Sequence, residues 1–510
     1  MKINIGEFLT RRSKVTPTRE GLVCEDVRRT YKELNDRANR LANAMTSLGI
    51  GHGDRVSILA FNEPEYYDMY FGLGKIGATL VPINYRLAGP EIKYILSDCA
   101  SKALVFGPEY TQVVDSIRRD IPAKDFIVIS EDSPEWAGSY AVMIGDAFDR
   151  EPQIVGGGDD TLTILYTSGT TGRPKGAELT HAYYYWNSVN LMSTLGLDVG
   201  NTNLIALPLF HIGALAAPPY IVHSGGKAVL LRTLDPKRFL ELIAEEKVAG
   251  FGSVPQLLDF LKLVPDFAKY DWSSVRTILV YAAPVPVTLI KEYEAAGIEV
   301  RQLYGLTECK RVSYLEPELV DSKPTSVGKA IPGTETFLLD AEGKPVSAGE
   351  HGILYVRGPH VMLGYWNQPE RSAHMLKPGR LPHERVLCTH DWFYTDDEGF
   401  LYFVGRSDDI IKTRGEKVSP VEVENVLHAI DGVVEAAVIG WPDELLGEKI
   451  CAFVTLAADC TLSNKHLRKL CLSQLENFMA PQEVIILTEL PKTATGKISK
   501  KLLKEHYASL

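Results

Sequence analysis

Between Arg55 and Ile129, and again from Asn203 to Leu303, short apolar strand-like runs alternate with helical ones. That alternation narrows the possible folds more than any other feature of the chain. Residues 56–60 read as a buried strand, followed by a helix over 63–76 with Asn62 as its cap and Pro64 in its first turn. Strands at 80–83 and 103–106 then flank a helix at 89–97. The pattern resumes with strands at 203–207, 228–231, 250–254, 277–281 and 299–303, and helices at 235–247 and 287–296. Such a series predicts βαβ units: an α/β fold of mostly parallel sheets, with ligands held at the carboxyl ends of the strands. A chain of 510 residues exceeds one hydrophobic core, so several units are expected.

After Gly333 the texture changes. Residues 334–339 and 352–357 read as antiparallel strands joined by the turn Asp340-Ala341-Glu342-Gly343, a β-rich subdomain. The polar stretch Gly405-Arg406-Ser407-Asp408-Asp409 suits a linker. Beyond it, Ser419-Pro420-Val421-Glu422 carries a hydroxyl cap, a proline at the first helical position and a glutamate at the capping-box position. Strands at 433–439, 451–456 and 483–487 and a helix at 463–478 complete a small α+β unit. The expected division is a large N-terminal domain over 1–405 and a small mobile C-terminal domain over 406–510.

Charge and cysteine usage exclude several classes. A net charge of −11 argues against a non-specific nucleic-acid binder, so anionic ligands must be met by local cations and backbone donors. No apolar run approaches the ~20 residues of a membrane span. The first 17 residues contain Arg11, Arg12 and Lys14 but no apolar core, which predicts no secretory signal. Seven cysteines, odd in number and without paired metal spacing, fit reduced thiols in the cytoplasm.

The chemistry begins after the apolar run at 161–165. Tyr166-Thr167-Ser168-Gly169-Thr170-Thr171-Gly172-Arg173-Pro174-Lys175-Gly176 offers glycines that admit an anion to the backbone, hydroxyl donors, and two cations. It is not a P-loop, because Pro174 interrupts the spacing and no Gly-Lys-Ser/Thr follows, which disfavours a P-loop phosphotransferase. Alone it would read as a surface turn. The string resembles the phosphate loop of the adenylate-forming superfamily, which includes acyl- and aryl-CoA ligases, peptide-synthetase adenylation domains and firefly-type luciferases. The resemblance covers nearly the whole chain, since later motifs of that family recur in order.

The resemblance implies a role for each matching residue. In Tyr304-Gly305-Leu306-Thr307-Glu308, Tyr304 would lie against adenine, Gly305 would admit the nucleotide, Thr307 would touch the α-phosphate and Glu308 would coordinate Mg²⁺. Ala282 and Ala283 match the small-residue segment beside the adenine and the acid. Asp391 of Thr389-His390-Asp391 would accept both ribose hydroxyls, with His390 standing where the family usually has glycine. Arg406 would also touch the nucleotide, and Asp408 would be the hinge. Lys497, in Thr493-Ala494-Thr495-Gly496-Lys497, would bridge the acid carboxylate and the α-phosphate during adenylation. Gly415 would line the pantetheine tunnel of coenzyme A, and Arg414 replaces another usual glycine. His211 and Gly213 match the border of the acid pocket, where Ser253 also leaves room for a chain or ring. His211-Ile212-Gly213-Ala214 offers no aspartate of the kind that holds an α-amine in the family's amino-acid-activating members. Cys309-Lys310-Arg311 is more polar than a fatty-acid pocket calls for; it either faces away or meets a polar group of the substrate or of a carrier's phosphopantetheine.

The resemblance therefore implies an ATP- and Mg²⁺-dependent acid–thiol ligase acting on a fatty, aromatic or dicarboxylic acid, with coenzyme A as acceptor. Loading of an acyl or peptidyl carrier protein is the nearest rival, and a homodimer is compatible with either. From another class, a nucleotide-binding regulator would have lost catalytic positions, yet Lys175, Glu308, Asp391 and Lys497 are all present.

Overall fold

A computed structural model describes residues 3–167, 173–195, 200–281, 285–381, 384–414, 416–457, 460–492 and 498–508. By internal packing the chain forms two compact units. The first comprises Met1–Thr336 and Val356–Cys388, and the second Phe337–Tyr355 and Thr389–Leu510. The chain passes between them inside the strands Glu335–Leu339, Gly352–Arg357 and Arg385–Thr395.

The first unit has the expected α/β build. One sheet runs in parallel through Thr79–Pro82, Arg55–Leu59, Ala103–Phe106 and Asp125–Val128, with Thr161–Thr167 beside Thr79–Pro82. A second is parallel through Glu20–Cys24, Lys227–Leu230, Thr202–Ile205, Gly250–Ser253, Thr277–Val280 and Glu299–Tyr304. These short strands are buried on both faces, which is why they read as continuous apolar runs instead of alternating ones. The connecting helices start where local chemistry allows. Asp235 caps Pro236–Glu246 by accepting from the backbone N–H groups of Lys237 and Arg238, with proline where no N–H is needed.

Asn62 does not cap the next helix, which begins at Glu65 after Pro64. Its amide instead ties the two sheets together. Nδ2 donates to the carbonyls of Leu207 and Leu231, both at 3.1 Å, and Oδ1 accepts from Leu209 N at 2.9 Å. A buried amide with three partners is better satisfied there than at a helix end.

In the second unit, Val433–Asp443 and Gly447–Leu456 form an antiparallel hairpin, and the free edge of Gly447–Leu456 pairs in parallel with Glu483–Ile486 and, at Gly447, antiparallel with Ile411–Thr413. Strand alternation sorts the side chains between two faces. Ala436, Val438, Ile450 and Val454 pack with Val423 and Leu427 of helix Pro420–His428 and with Leu467 and Cys471 of helix Asn464–Gln474. Ala437, Ile439, Cys451 and Phe453 face the other way, with Leu490 and Leu503. Ser419 caps the first of these helices by accepting from Glu422 N, and it also donates to the Val404 carbonyl. All seven cysteines are free. No helix among the described residues is long and apolar enough to cross a membrane.

Candidate active site

The phosphate-loop string lies in a hairpin. Thr161–Thr167 pairs antiparallel with Lys175–Thr180, and Thr167 is opposite Lys175. Ser168, Gly169, Thr170, Thr171 and Gly172 lie outside the described residues. At the loop's base, the hydroxyl of Thr167 is buried and has no hydrogen-bond partner among the described residues. A buried orphan donor is costly unless a ligand satisfies it.

Three strand ends of the second sheet converge on the same unit's chemistry. Tyr304 closes Glu299–Tyr304, Ser253 closes Gly250–Ser253, and Tyr281 follows Thr277–Val280. Gly305 has no alternative at its position: a Cβ there would sit 1.7 Å from the Lys310 carbonyl oxygen. That close approach folds the Thr307-Glu308 turn back on itself, with Lys310 N donating to Leu306 O at 2.6 Å. Thr307 is fixed from outside by Tyr183, whose hydroxyl donates to its carbonyl at 2.9 Å.

Glu308 meets Lys175 across this junction. The Lys175 ammonium donates to Glu308 Oε1 at 3.1 Å and to the Tyr365 hydroxyl at 2.6 Å, and Tyr365 donates to the same carboxylate oxygen. Burial pushes the Glu308 carboxyl up, but the Lys175 charge and the Tyr365 hydrogen bond outweigh it and hold it below the usual range. The carboxylate is therefore ionised, almost fully buried and oriented in advance. Tyr365 gives no sign in the sequence. It sits on the two-residue strand Gly364–Tyr365, which pairs with Lys175–Thr180 through Tyr365 opposite Ala177, too short a run for periodicity to mark.

A single carboxylate suits Mg²⁺, which keeps several waters and shares its remaining coordination with nucleotide phosphates. The described residues contain no group of three or more His, Cys, Asp or Glu side chains able to hold a metal alone.

Beside Ser253 and Tyr281, the expected acid-pocket residues gather. His211 caps the short helix Ile212–Leu215, its Nδ1 accepting from Gly213 N at 3.2 Å. The space left by the small residues is largely taken by Tyr281. A Cβ at Gly213 would lie 2.9 Å from its ring, and one at Gly252 would lie 2.4 Å from its hydroxyl. That hydroxyl donates to Gly213 O at 2.9 Å. Lys310 and Arg311 are both buried, and Lys310 Nζ donates to Ile212 O at 3.0 Å and Gly213 O at 3.3 Å. Ala282 and Ala283 lie outside the described residues.

The second unit holds the other candidates. Asp391 and Arg406 are opposite each other on the antiparallel strands Arg385–Thr395 and Leu401–Arg406, 3.4 Å apart as an ion pair. Asp391 is mostly buried and its backbone N–H donates to Thr389 Oγ1, whereas Arg406 is exposed. His390 has φ 57° and Arg414 has φ 55°. Both residues that replace the usual glycines thus keep the left-handed backbone for which glycine would be the cheap choice. The Ser407 backbone and hydroxyl both donate to the His390 carbonyl, holding it there. Asp408 is exposed in a turn closed by Asp409 N and Ile410 N on Arg406 O. Gly415 and Lys497 lie outside the described residues.

Against known proteins, the family model described as AMP-binding enzyme matches residues 9–366, and the one described as AMP-binding enzyme C-terminal domain matches residues 422–497. A long-chain-fatty-acid–CoA ligase of Mycobacterium tuberculosis is 36% identical, with 99% of each chain covered. An indoleacetate–CoA ligase of Aromatoleum aromaticum is 34% identical, covering 98% of this chain and 97% of the relative. Among solved structures, an anthranilate CoA ligase in complex with anthranoyl-AMP superposes with a TM-score of 0.91 at 29% identity, covering 100% of this chain and 98% of that one.

Proposed function

The chain belongs to the AMP-binding enzyme family, and from that premise we propose how its own residues divide the work. It is an AMP-forming acid–CoA ligase: it activates a carboxylic acid with ATP as an acyl-adenylate, releases pyrophosphate, and passes the acyl group to coenzyme A with release of AMP. The observation that carries the assignment of roles is the buried Lys175–Glu308–Tyr365 cluster at the base of the phosphate loop.

Two anions must approach each other in the first step, the substrate carboxylate and the α-phosphate. Lys175, at the loop's foot, supplies a cation that can turn from Glu308 to the phosphates. Glu308 then presents an ionised carboxylate through which Mg²⁺ would share the phosphate charge. Thr167 and the glycine-rich loop donate to phosphate oxygens, Tyr304 and Ala283 bracket the base, and Asp391 with Arg406 binds the ribose end. Because Asp391 and the hydroxyl pair of a ribose are complementary, one carboxylate oxygen accepts from each hydroxyl. Lys497 neutralises the carboxylate–phosphate approach. The segment from 406 onward pivots at Asp408 after adenylation, withdrawing Lys497 and bringing Gly415 toward the pantetheine arm. The pivot is distinct from the packing boundary, which assigns residues 389–405 to the second unit.

The test is isotope exchange of pyrophosphate into ATP across fatty, aromatic and dicarboxylic acids, followed by addition of coenzyme A or a carrier protein as acceptor. Acid-dependent exchange and a CoA thioester are expected; transfer to the carrier alone would move the acceptor assignment. Lys497→Ala should slow adenylation about 10²- to 10³-fold while leaving thioester formation from supplied acyl-adenylate intact. Equal loss of both steps would remove the role given to Lys497.

A further inference from the structure

Arg311 is a buried cation with no counter-ion among the described residues. It is 8% exposed, and its Nη1 has no hydrogen-bond partner among them. The groups that act on it electrostatically are the phenols of Tyr281, Tyr183 and Tyr220, together with the adjacent Lys310 and the neutral ring of His360. Two of those phenols are already committed, Tyr183 to Thr307 O and Tyr281 to Gly213 O. The nearest acid in sequence, Glu308, is engaged by Lys175 and Tyr365.

Its neighbour shows how a buried cation can be accommodated without an anion. Lys310 donates to two backbone carbonyls and lies 4.6 Å from the centre of the Tyr281 ring. The Arg311 guanidinium keeps its charge, because arginine stays protonated in proteins. Leaving it buried and unpaired is costly, and a leucine or methionine would fill the volume without that penalty. The partners of Lys310, Ile212 and Gly213, directly follow His211 at the acid pocket. Arg311 itself acts on Tyr281, whose hydroxyl donates to Gly213 O, so the uncompensated charge lies beside the residues expected to border the acid.

We propose that Arg311 binds a second carboxylate on the acid substrate, so that the ligase selects a dicarboxylic acid whose far end pairs with the guanidinium while its near end is adenylated. This rests on the ligase reading above. The Tyr281 ring, filling the space beside Gly213 and Gly252, shortens the pocket against long alkyl chains.

The experiment compares acid-dependent AMP release for matched pairs of equal length, α,ω-dicarboxylates of four to eight carbons against the corresponding monocarboxylates, and phthalate isomers against benzoate. Wild-type enzyme should favour the best dicarboxylate over its monocarboxylate partner. Arg311→Met should lower that ratio about 100-fold, the loss expected when one partner of a buried charge pair is removed. Arg311→Lys should fall between the two. A wild-type preference for monocarboxylates overturns the proposal with no variant needed, and so does an unchanged ratio in a folded Arg311→Met. Failure of every acid in both series to release AMP would strike at the ligase reading itself, a result distinguishable from activity with monocarboxylates alone.

Discussion

Glu308 and Asp391 are the two carboxylates proposed to meet the nucleotide; both are buried, yet their partners differ. Glu308 in the first unit is buried and bound on one oxygen by both an ammonium and a phenol. Asp391 in the second unit faces an exposed arginine at 3.4 Å, on a hairpin whose turn is open to solvent. The contrast teaches where the fold has invested electrostatics. The charge proposed to act where the α-phosphate reacts has a mostly buried ammonium as its partner, in a low-dielectric place before the substrate arrives. The charge proposed to recognise the ribose is buried as well, but its partner guanidinium lies where water screens it.

The strongest way to break this contrast is Glu308→Gln. It leaves Lys175 buried beside a neutral amide, and removing one partner of a buried pair typically costs about 3–5 kcal/mol. A lower melting temperature together with loss of pyrophosphate exchange is expected; unchanged stability would mean the pair is not buried in solution. The pair also sets a pH dependence. Because the folded Glu308 carboxyl is held below its ordinary value of 4.5, its contribution to stability is complete above the ordinary glutamate range. That contribution is lost as pH falls through the depressed value, so the wild-type minus Glu308→Gln stability difference should shrink on acidification below pH 4.5 and stay flat above it.

Asp391→Asn should act more weakly. Its ion pair with exposed Arg406 adds at most about 1 kcal/mol of stability, so the melting temperature should barely move. The KM for ATP should rise about tenfold, as for a lost charge-assisted hydrogen bond, with a smaller effect on the rate at saturating ATP. A collapse in stability would show that Asp391 is as structural as Glu308. The smallest effect belongs to His390→Gly. Relief of a left-handed backbone is offset by the freedom glycine gains in the unfolded chain, so stability should change by less than about 1 kcal/mol. A larger loss would reveal a role for the imidazole itself.

The same contrast explains what could be read from the sequence. Parallel strands announced themselves because each is a short apolar run between turn signals, and Ser419 capped its helix as its pattern required. Asn62 misled because an Asn before a helical run resembles a cap, whereas three backbone groups far away in sequence claim its side chain. The strand at Val433–Asp443 ran past its apolar stretch because its hairpin partner Gly447–Leu456 pairs Pro442 with Glu448. In the site, Lys175 and Glu308 stood out as residue types within motifs, but their pairing did not. Tyr365 was hidden altogether, since it lies 57 positions from Glu308 on a strand with no periodicity. Nor could the residues alone decide which way Lys310 faced; the carbonyls of Ile212 and Gly213 beside it show that.

The most direct test of the account is a product count in two stages. Enzyme, ATP and a competent acid without coenzyme A should yield pyrophosphate and enzyme-bound acyl-adenylate, and later addition of coenzyme A should release AMP and acyl-CoA in equal amounts. Formation of ADP and inorganic phosphate, or AMP release that does not depend on the acid, would contradict it.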